Sequence, residues 1–148
     1  MSRLTERLGK HGGFKVCSYL SLFSDTVTIV PHGSQSDLIA EFDDVILSFQ
    51  VKTLRLRRKR YNKKDGSFVG RSGWQVDLRR SGNTVDRNYS GSVDIFAVYI
   101  KPMDKLLFFL PGKTKKIGIS DRMAAEAVSE QMLLNCVQHC LNIRKKNK

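Results

Sequence analysis

The chain is short of cysteine, of long apolar runs and of acid. Its three cysteines, Cys17, Cys136 and Cys140, are odd in number and fit no disulfide framework, which points to a reducing, cytoplasmic setting. No stretch approaches the roughly 20 apolar residues of a membrane span, and Met1 to Lys15 lacks the apolar centre of a secretory signal. Internal repeats, linkers and low-complexity segments are also missing. The 148 residues are therefore expected to form a single domain, 1–148, with a core of its own and no membrane partner.

The shortage of acid is the most informative. Fourteen Asp and Glu stand against 26 Lys and Arg, a net charge of +12, and a surplus of that size argues for a polyanionic partner, of which nucleic acid is the commonest. The surplus is concentrated. A basic segment at about 53–90 holds Arg55, Arg57, Arg58, Lys59, Arg60, Lys63, Lys64, Arg71, Arg79, Arg80 and Arg87. Seven of the ten residues from Arg55 to Lys64 are basic and repel one another unless a polyanion neutralises them. A solubilising charged face is the bland alternative. Contact with double-stranded DNA is the reading preferred, with arginines on strands able to enter a major groove.

Periodicity predicts an α/β chain: one mixed sheet flanked by an N-terminal and a C-terminal helix. Gly9, Gly12 and Gly13 predict a loop up to Gly13 and a helix from Phe14 to Phe23. Asp25 to Val30 alternates as a strand ended by Pro31. Leu38 to Phe42 and Val45 to Phe49 predict a hairpin turned by Asp43 and Asp44. Arg57 to Gly73 has no periodicity and is expected to be a long loop or an extended hairpin tip. Trp74 to Leu78 alternates as a strand, turned by Ser81-Gly82-Asn83, and Val93 to Ile100 is so continuously apolar that burial on both faces is expected. Leu106 to Leu110 pairs back after a turn at Lys101-Pro-Met-Asp104. A final helix is expected from Ser120, its N-cap, to about Ile143.

The hairpin carries the candidate chemistry. If Asp43 and Asp44 form a two-residue turn, Asp37 lies opposite Gln50, on the face that Lys52 shares; Asp-Asp is a poorer turn than Asn-Gly, so a register slipped by a residue or more is the alternative. One carboxylate, one amide and one ammonium beside a basic surface suit phosphodiester hydrolysis: Asp37, Gln50 and the main-chain carbonyl of Val51 as oxygen ligands of Mg2+ or Mn2+, and Lys52 as the residue that positions water or meets charge on the phosphorane. On spacing alone the other reading stays open, with Asp37 capping a turn and Gln50 and Lys52 on a solvated face. Glu41 shares the Asp37 face as a candidate second-metal ligand, and Asp94 either approaches the cluster or is a hydrogen-bonded structural residue. Gly112-Lys113-Thr114 lacks the earlier glycine of a nucleotide-binding loop. Cys136, His139 and Cys140 lack a fourth zinc ligand and read as buried thiols. His11 and His32 stand alone.

The pattern Asp37-x12-Gln50-x-Lys52 resembles the PD-(D/E)xK nuclease motif in its Gln variant. Together with Pro31-x5-Asp37-Leu-Ile, Phe49-Gln-Val-Lys-Thr53, Tyr89-Ser-Gly-Ser-Val-Asp-Ile-Phe-Ala-Val-Tyr99 and Leu110-Pro111, it resembles the group I intron homing endonucleases of cyanobacterial type, over about residues 9 to 111. The resemblance implies a restriction-endonuclease-like core, a Mg2+-dependent, site-specific cut of double-stranded DNA, and a homodimer or homotetramer. It puts Asp37 and Gln50 at the metal and Lys52 at the catalytic lysine. A Holliday-junction-resolving nuclease of the same fold, or a DNA-binding protein without catalysis, are the alternatives. The sequence departs from the family at one place: where the first helix should supply a glutamate stands Gly13, and Glu6, one or two turns earlier, is the candidate substitute.

Overall fold

The computed structural model describes residues 2–31, 36–78, 93–112 and 115–147. In chain order these form α1 (Arg3–Leu20), β1 (Val27–Ile29), β2 (Leu38–Phe42), β3 (Val45–Leu54), β4 (Lys59–Tyr61), β5 (Phe68–Arg71), β6 (Trp74–Asp77), β7 (Ile95–Ile100), β8 (Lys105–Phe109), β9 (Lys116–Ile119), α2 (Asp121–Glu126) and α3 (Ser129–Lys146). A mixed five-stranded sheet runs β1-β2-β3-β7-β8. Its β3–β7 pair is parallel and its other pairs are antiparallel. The α/β class, the mixed sheet and the flanking helices are those expected. Among the described residues no helix is long and apolar enough to cross a membrane.

Alternation along the strands builds two cores. Leu38, Ala40, Phe42, Leu47, Phe49, Ile95, Ala97 and Tyr99 pack beneath Val16 and Leu20 of α1 and Leu133, Val137 and Leu141 of α3. On the other face Phe96, Val98 and Ile100 pack against Trp74, Val76, Ile119 and Ala124. All six residues of β7 are buried, as its unbroken apolar run requires. The hairpin is also as expected: pairing runs from Leu38↔Phe49 to Phe42↔Val45. Asp43 and Asp44 both take positive φ, 48° and 63°, which a two-residue type I′ turn demands of its central residues.

Three expectations are corrected and one choice between alternatives is decided. The first helix does not wait for Phe14: it starts at Arg3, where the Ser2 hydroxyl accepts a hydrogen bond from the Thr5 amide, and the three glycines lie inside it. Packing overrides their poor propensity. A Cβ on Gly12 would stand 1.9 Å from Oγ1 of Thr53, so only glycine lets α1 lie this close to β3. The first strand is shorter than Asp25 to Val30. The stretch from Arg57 to Gly73 is the extended hairpin of the two alternatives, with β4 and β5 pairing as a separate ribbon. The C-terminal helix is broken. Ser120 caps α2 as expected, its hydroxyl accepting from the Met123 amide, but Ala127 and Val128 are extended and α3 begins afresh. One straight helix cannot serve both cores: Ala124 of α2 lies in the second and the buried stripe of α3 in the first. Strand β9, hidden in a short polar stretch, pairs with β6 from Trp74↔Ile119 to Asp77↔Lys116. The expected turn at 81–83 lies outside the described residues.

The helical glycines give opposite expected outcomes. Gly9→Ala, with nothing within 4 Å of the new Cβ, should stabilise the chain by roughly 0.5–1 kcal/mol in urea unfolding. Gly12→Ala should destabilise it by about 1–3 kcal/mol through overpacking, and Thr53→Ala added to it should recover most of that loss.

Candidate active site

The regular β2–β3 ladder ends at Leu38↔Phe49, and there the site begins. Continued, the ladder would set Asp37 opposite Gln50. Instead the amide of Asp37 donates to the Phe49 carbonyl at 2.9 Å. Its carboxylate Oδ2 accepts from the amide of Val51 at 2.8 Å. The expected opposition is thus shifted by one residue, because the Asp37 side chain takes the acceptor place that a main-chain carbonyl fills further along the ladder. The effect is to clamp the carboxylate against the peptide linking Gln50 to Val51. In a strand the N–H and C=O of one residue point to the same side, so the Val51 carbonyl faces the edge where Asp37 sits.

Gln50 and Lys52 alternate with Phe49 and Val51, which belong to the first core with its helices; Gln50 and Lys52 therefore project from the opposite face, beside Leu54 and the second core. Both are half-buried. Burial holds the Lys52 ammonium below the usual lysine range, and the negative charges of Asp77 and Asp37 act against that shift. Asp77, at the end of β6, is a neighbour that the sequence reading left out of the site. Its alternation in Trp74-Gln-Val-Asp77 was visible, but nothing in the sequence says that β6 lies across the second face near β3.

The other candidates fall into place around this cluster. Glu6 is exposed in the first turn of α1, and α1 meets β3 on the face of Thr53, away from Gln50 and Lys52. Gly13 has open space around it. Glu41 of β2 lies four residues along the chain from Asp37, roughly 13 Å in extended chain. Asp94 is structural: its Oδ2 accepts from the Ser48 amide at 2.9 Å and from the Ser48 hydroxyl at 3.2 Å, and Arg144 of α3 donates to it at 3.3 Å. Cys136 and Cys140 are core thiols, each pushed up to about 11 chiefly by burial.

Of the basic residues, Arg57 is engaged with Asp121, its Nε donating to Oδ1 at 3.1 Å, and Arg71 donates to the Arg57 carbonyl at 2.7 Å. Arg55, Arg58, Lys59, Arg60, Lys63 and Lys64 are exposed. Arg79, Arg80 and Arg87, and His32, lie outside the described residues.

Among the described residues no three His, Cys, Asp or Glu side chains gather as a metal cage. The oxygen donors at hand are the Asp37 carboxylate, the Gln50 amide and the Val51 carbonyl. That hard, sparse set fits Mg2+, which keeps several waters and commonly binds through one or two carboxylates and a substrate phosphate.

No protein-family model matches the chain, and comparison with curated proteins gives no match. Among solved structures, the bacterial homing endonuclease I-Ssp6803I is similar with a TM-score of 0.56 at 19% sequence identity, over 86% of this chain and 87% of that one. The chain has the fold of that enzyme.

Proposed function

We propose that the chain is a metal-dependent endonuclease that hydrolyses phosphodiester bonds of double-stranded DNA, site-specifically and as a homing-type enzyme. The carrying observation is the Asp37 carboxylate held by the Val51 amide beside Gln50 and Lys52. The fold shared with a homing endonuclease supports the reading, as does the basic segment that follows β3. Asp37, with the Gln50 amide and the Val51 carbonyl, would hold Mg2+ or Mn2+. Such an ion, when bound, lowers the pKa of a water and polarises the scissile phosphate. Lys52 donates to the phosphate oxygens as negative charge develops on them, in surroundings drier than bulk water, where that interaction is stronger. Asp77 and Asp37 favour the charged form of Lys52 against the cost of its burial. Cutting both strands needs two such centres, so a homodimer or homotetramer is part of the proposal. Phe14 of α1, Leu22 just beyond that helix and Leu134 of α3 leave apolar surface exposed.

One observation favours a second reading, DNA binding without catalysis: the first helix brings no carboxylate to the cluster, since Gly13 stands at the expected place and Glu6 is exposed on the other side of the sheet. A supercoiled plasmid assay with Mg2+ and Mn2+ decides between them. The nuclease should nick or linearise the plasmid, stop in EDTA, and lose roughly 10²–10³-fold or more in rate in Lys52→Ala and Asp37→Ala. Wild-type protein that binds plasmid but never cuts it, or a four-way junction, would leave only the second reading.

Lys52→Met adds a second arm. With the length of the side chain kept and its charge removed, cleavage should be abolished while plasmid binding in EDTA persists. Loss of binding together with cleavage would mean that Lys52 serves the DNA surface or the fold rather than the chemistry.

A further inference from the structure

The ribbon formed by β4 and β5 is built to be presented. Among the described residues its strands pair only with each other, and every residue of theirs except Gly70 is exposed. An isolated two-stranded ribbon is marginal in water, and this one is braced at both ends. At its root, the Arg58 amide donates to the Gly73 carbonyl at 2.9 Å and the Ser72 amide to the Arg58 carbonyl at 3.0 Å, while Arg57 is tied to Asp121 of α2. At its tip, the Asn62 side chain accepts from the Lys64 amide and the Asp65 side chain from the Ser67 amide, each at 2.9 Å. Gly66, at φ 73°, closes the turn. Lys63 and Lys64 are thereby held outward.

The charges on the ribbon lack the acid partners that some basic residues elsewhere have. Lys15, Arg57, Arg122 and Arg144 each meet a carboxylate. Among the described residues Lys59, Arg60, Lys63 and Lys64 meet none. Lys59 even stands directly opposite Arg71, a pairing that costs stability without an anion beside it.

The two faces of the ribbon have different work. On one, Tyr61 lies opposite Phe68 with ring centroids 6.0 Å apart, a pair that holds the strands together, and Arg71 is turned back onto the Arg57 carbonyl. The other face carries Arg60 opposite Gly70. Gly70 borders the irregularity at which Val69 is left without a partner; it has φ 117° and open space where a Cβ would be, so the residue directly opposite Arg60 puts no side chain beside its guanidinium. A glycine so placed permits close approach of another molecule.

We propose, resting on the DNA reading above, that this ribbon enters the major groove of duplex DNA, with Arg60 as the side chain that reads a base pair and Lys63 and Lys64 as phosphate contacts. The groove admits a two-stranded ribbon, and Arg is suited to the paired acceptors of guanine. The ribbon leaves the sheet as the continuation of β3. Arg60 lies eight residues beyond Lys52, at most roughly 27 Å of extended chain. At about 3.4 Å per base pair along one strand, the position read by Arg60 falls within about eight base pairs of the cut.

Two measurements on the full chain in EDTA test this, with Tm recorded to show that the exposed substitutions leave the fold intact. In a salt series on a random-sequence 30-base-pair duplex, Lys63→Ala with Lys64→Ala should lower the slope of log K against log salt by about 2. Lys145→Ala with Lys146→Ala, at the far end of α3, should leave it unchanged. In selection from a randomised duplex library, Arg60→Ala should erase the preference at one or two positions of the wild-type motif, whereas the double lysine variant should keep the motif and bind all sequences more weakly. An unchanged slope in the ribbon variant, an unchanged motif in Arg60→Ala, or a wild type that prefers no position each overturns the inference. Plasmid cleavage with an unchanged ribbon slope sinks this inference and spares the nuclease reading. A ribbon-dependent slope and motif without cleavage do the reverse.

Discussion

The parallel pairing of β3 with β7 is the constraint on which the rest of the molecule depends. Neighbouring parallel strands cannot be joined by a tight turn and need a long crossover between them. Here the crossover is everything from Arg55 to Asp94, and it contains the whole of the basic segment. Both strands are also covered on two faces, so the chain has to supply two cores. The helices α1 and α3 provide one cover and the β6–β9 ribbon with α2 the other. The break between α2 and α3 is the price of that second cover, since a continuous helix would leave one face bare.

The same constraint makes the polar cluster possible. A lysine in the middle of a strand is ordinarily free to reach water. Lys52 sits on the face that β6 covers, and burial lowers its pKa even with Asp77 and Asp37 acting in the other direction. Asp37 is fixed by a different device. The ladder to β2 stops one residue short of it, and its carboxylate completes the backbone bonding of β3 by accepting from Val51. The carboxylate and the strand edge it bonds to are therefore positioned together, and a change in one moves the other. The clamp explains how a single acid, in a short loop connection, comes to a fixed place beside two strand residues without help from a helix.

Where local chemistry decides the outcome, the sequence is a reliable guide. The alternation specifies the hairpin strands, the pairing then settles the register that a poor turn pair such as Asp43-Asp44 leaves open, and the unbroken apolar run of β7 specifies double burial. Three features resist such reading, each for a reason of tertiary contact. Gly12 looks like a helix breaker until Thr53 is seen against it. Asp77 looks like an ordinary outward strand residue until β6 is laid across the sheet. The shift at Asp37 arises because a side chain competes with a main-chain acceptor, and alternation carries no trace of such competition. Asp94 lay between two readings, and only the Ser48 and Arg144 contacts turn it toward the structural one. The broken C-terminal helix belongs with these, because helical spacing continues through Ala127 and Val128 although the two cores need separate pieces.

The arrangement of charge gives the two functional proposals a common origin. On the surface of the body, Lys15, Arg57, Arg122 and Arg144 are matched with acids, which offsets part of the net charge of +12. On the ribbon the match is withheld, and like charges face one another across the strands. Strand β3 carries the polar cluster in its second half and runs on through Arg55 into that ribbon, whose root is locked by Arg57 and Asp121. Cluster and ribbon are thus joined by only the four residues from Arg55 to Arg58, which bend at Leu56, so in the proposed complex a polyanion held by the ribbon lies within a short reach of Asp37, Gln50 and Lys52.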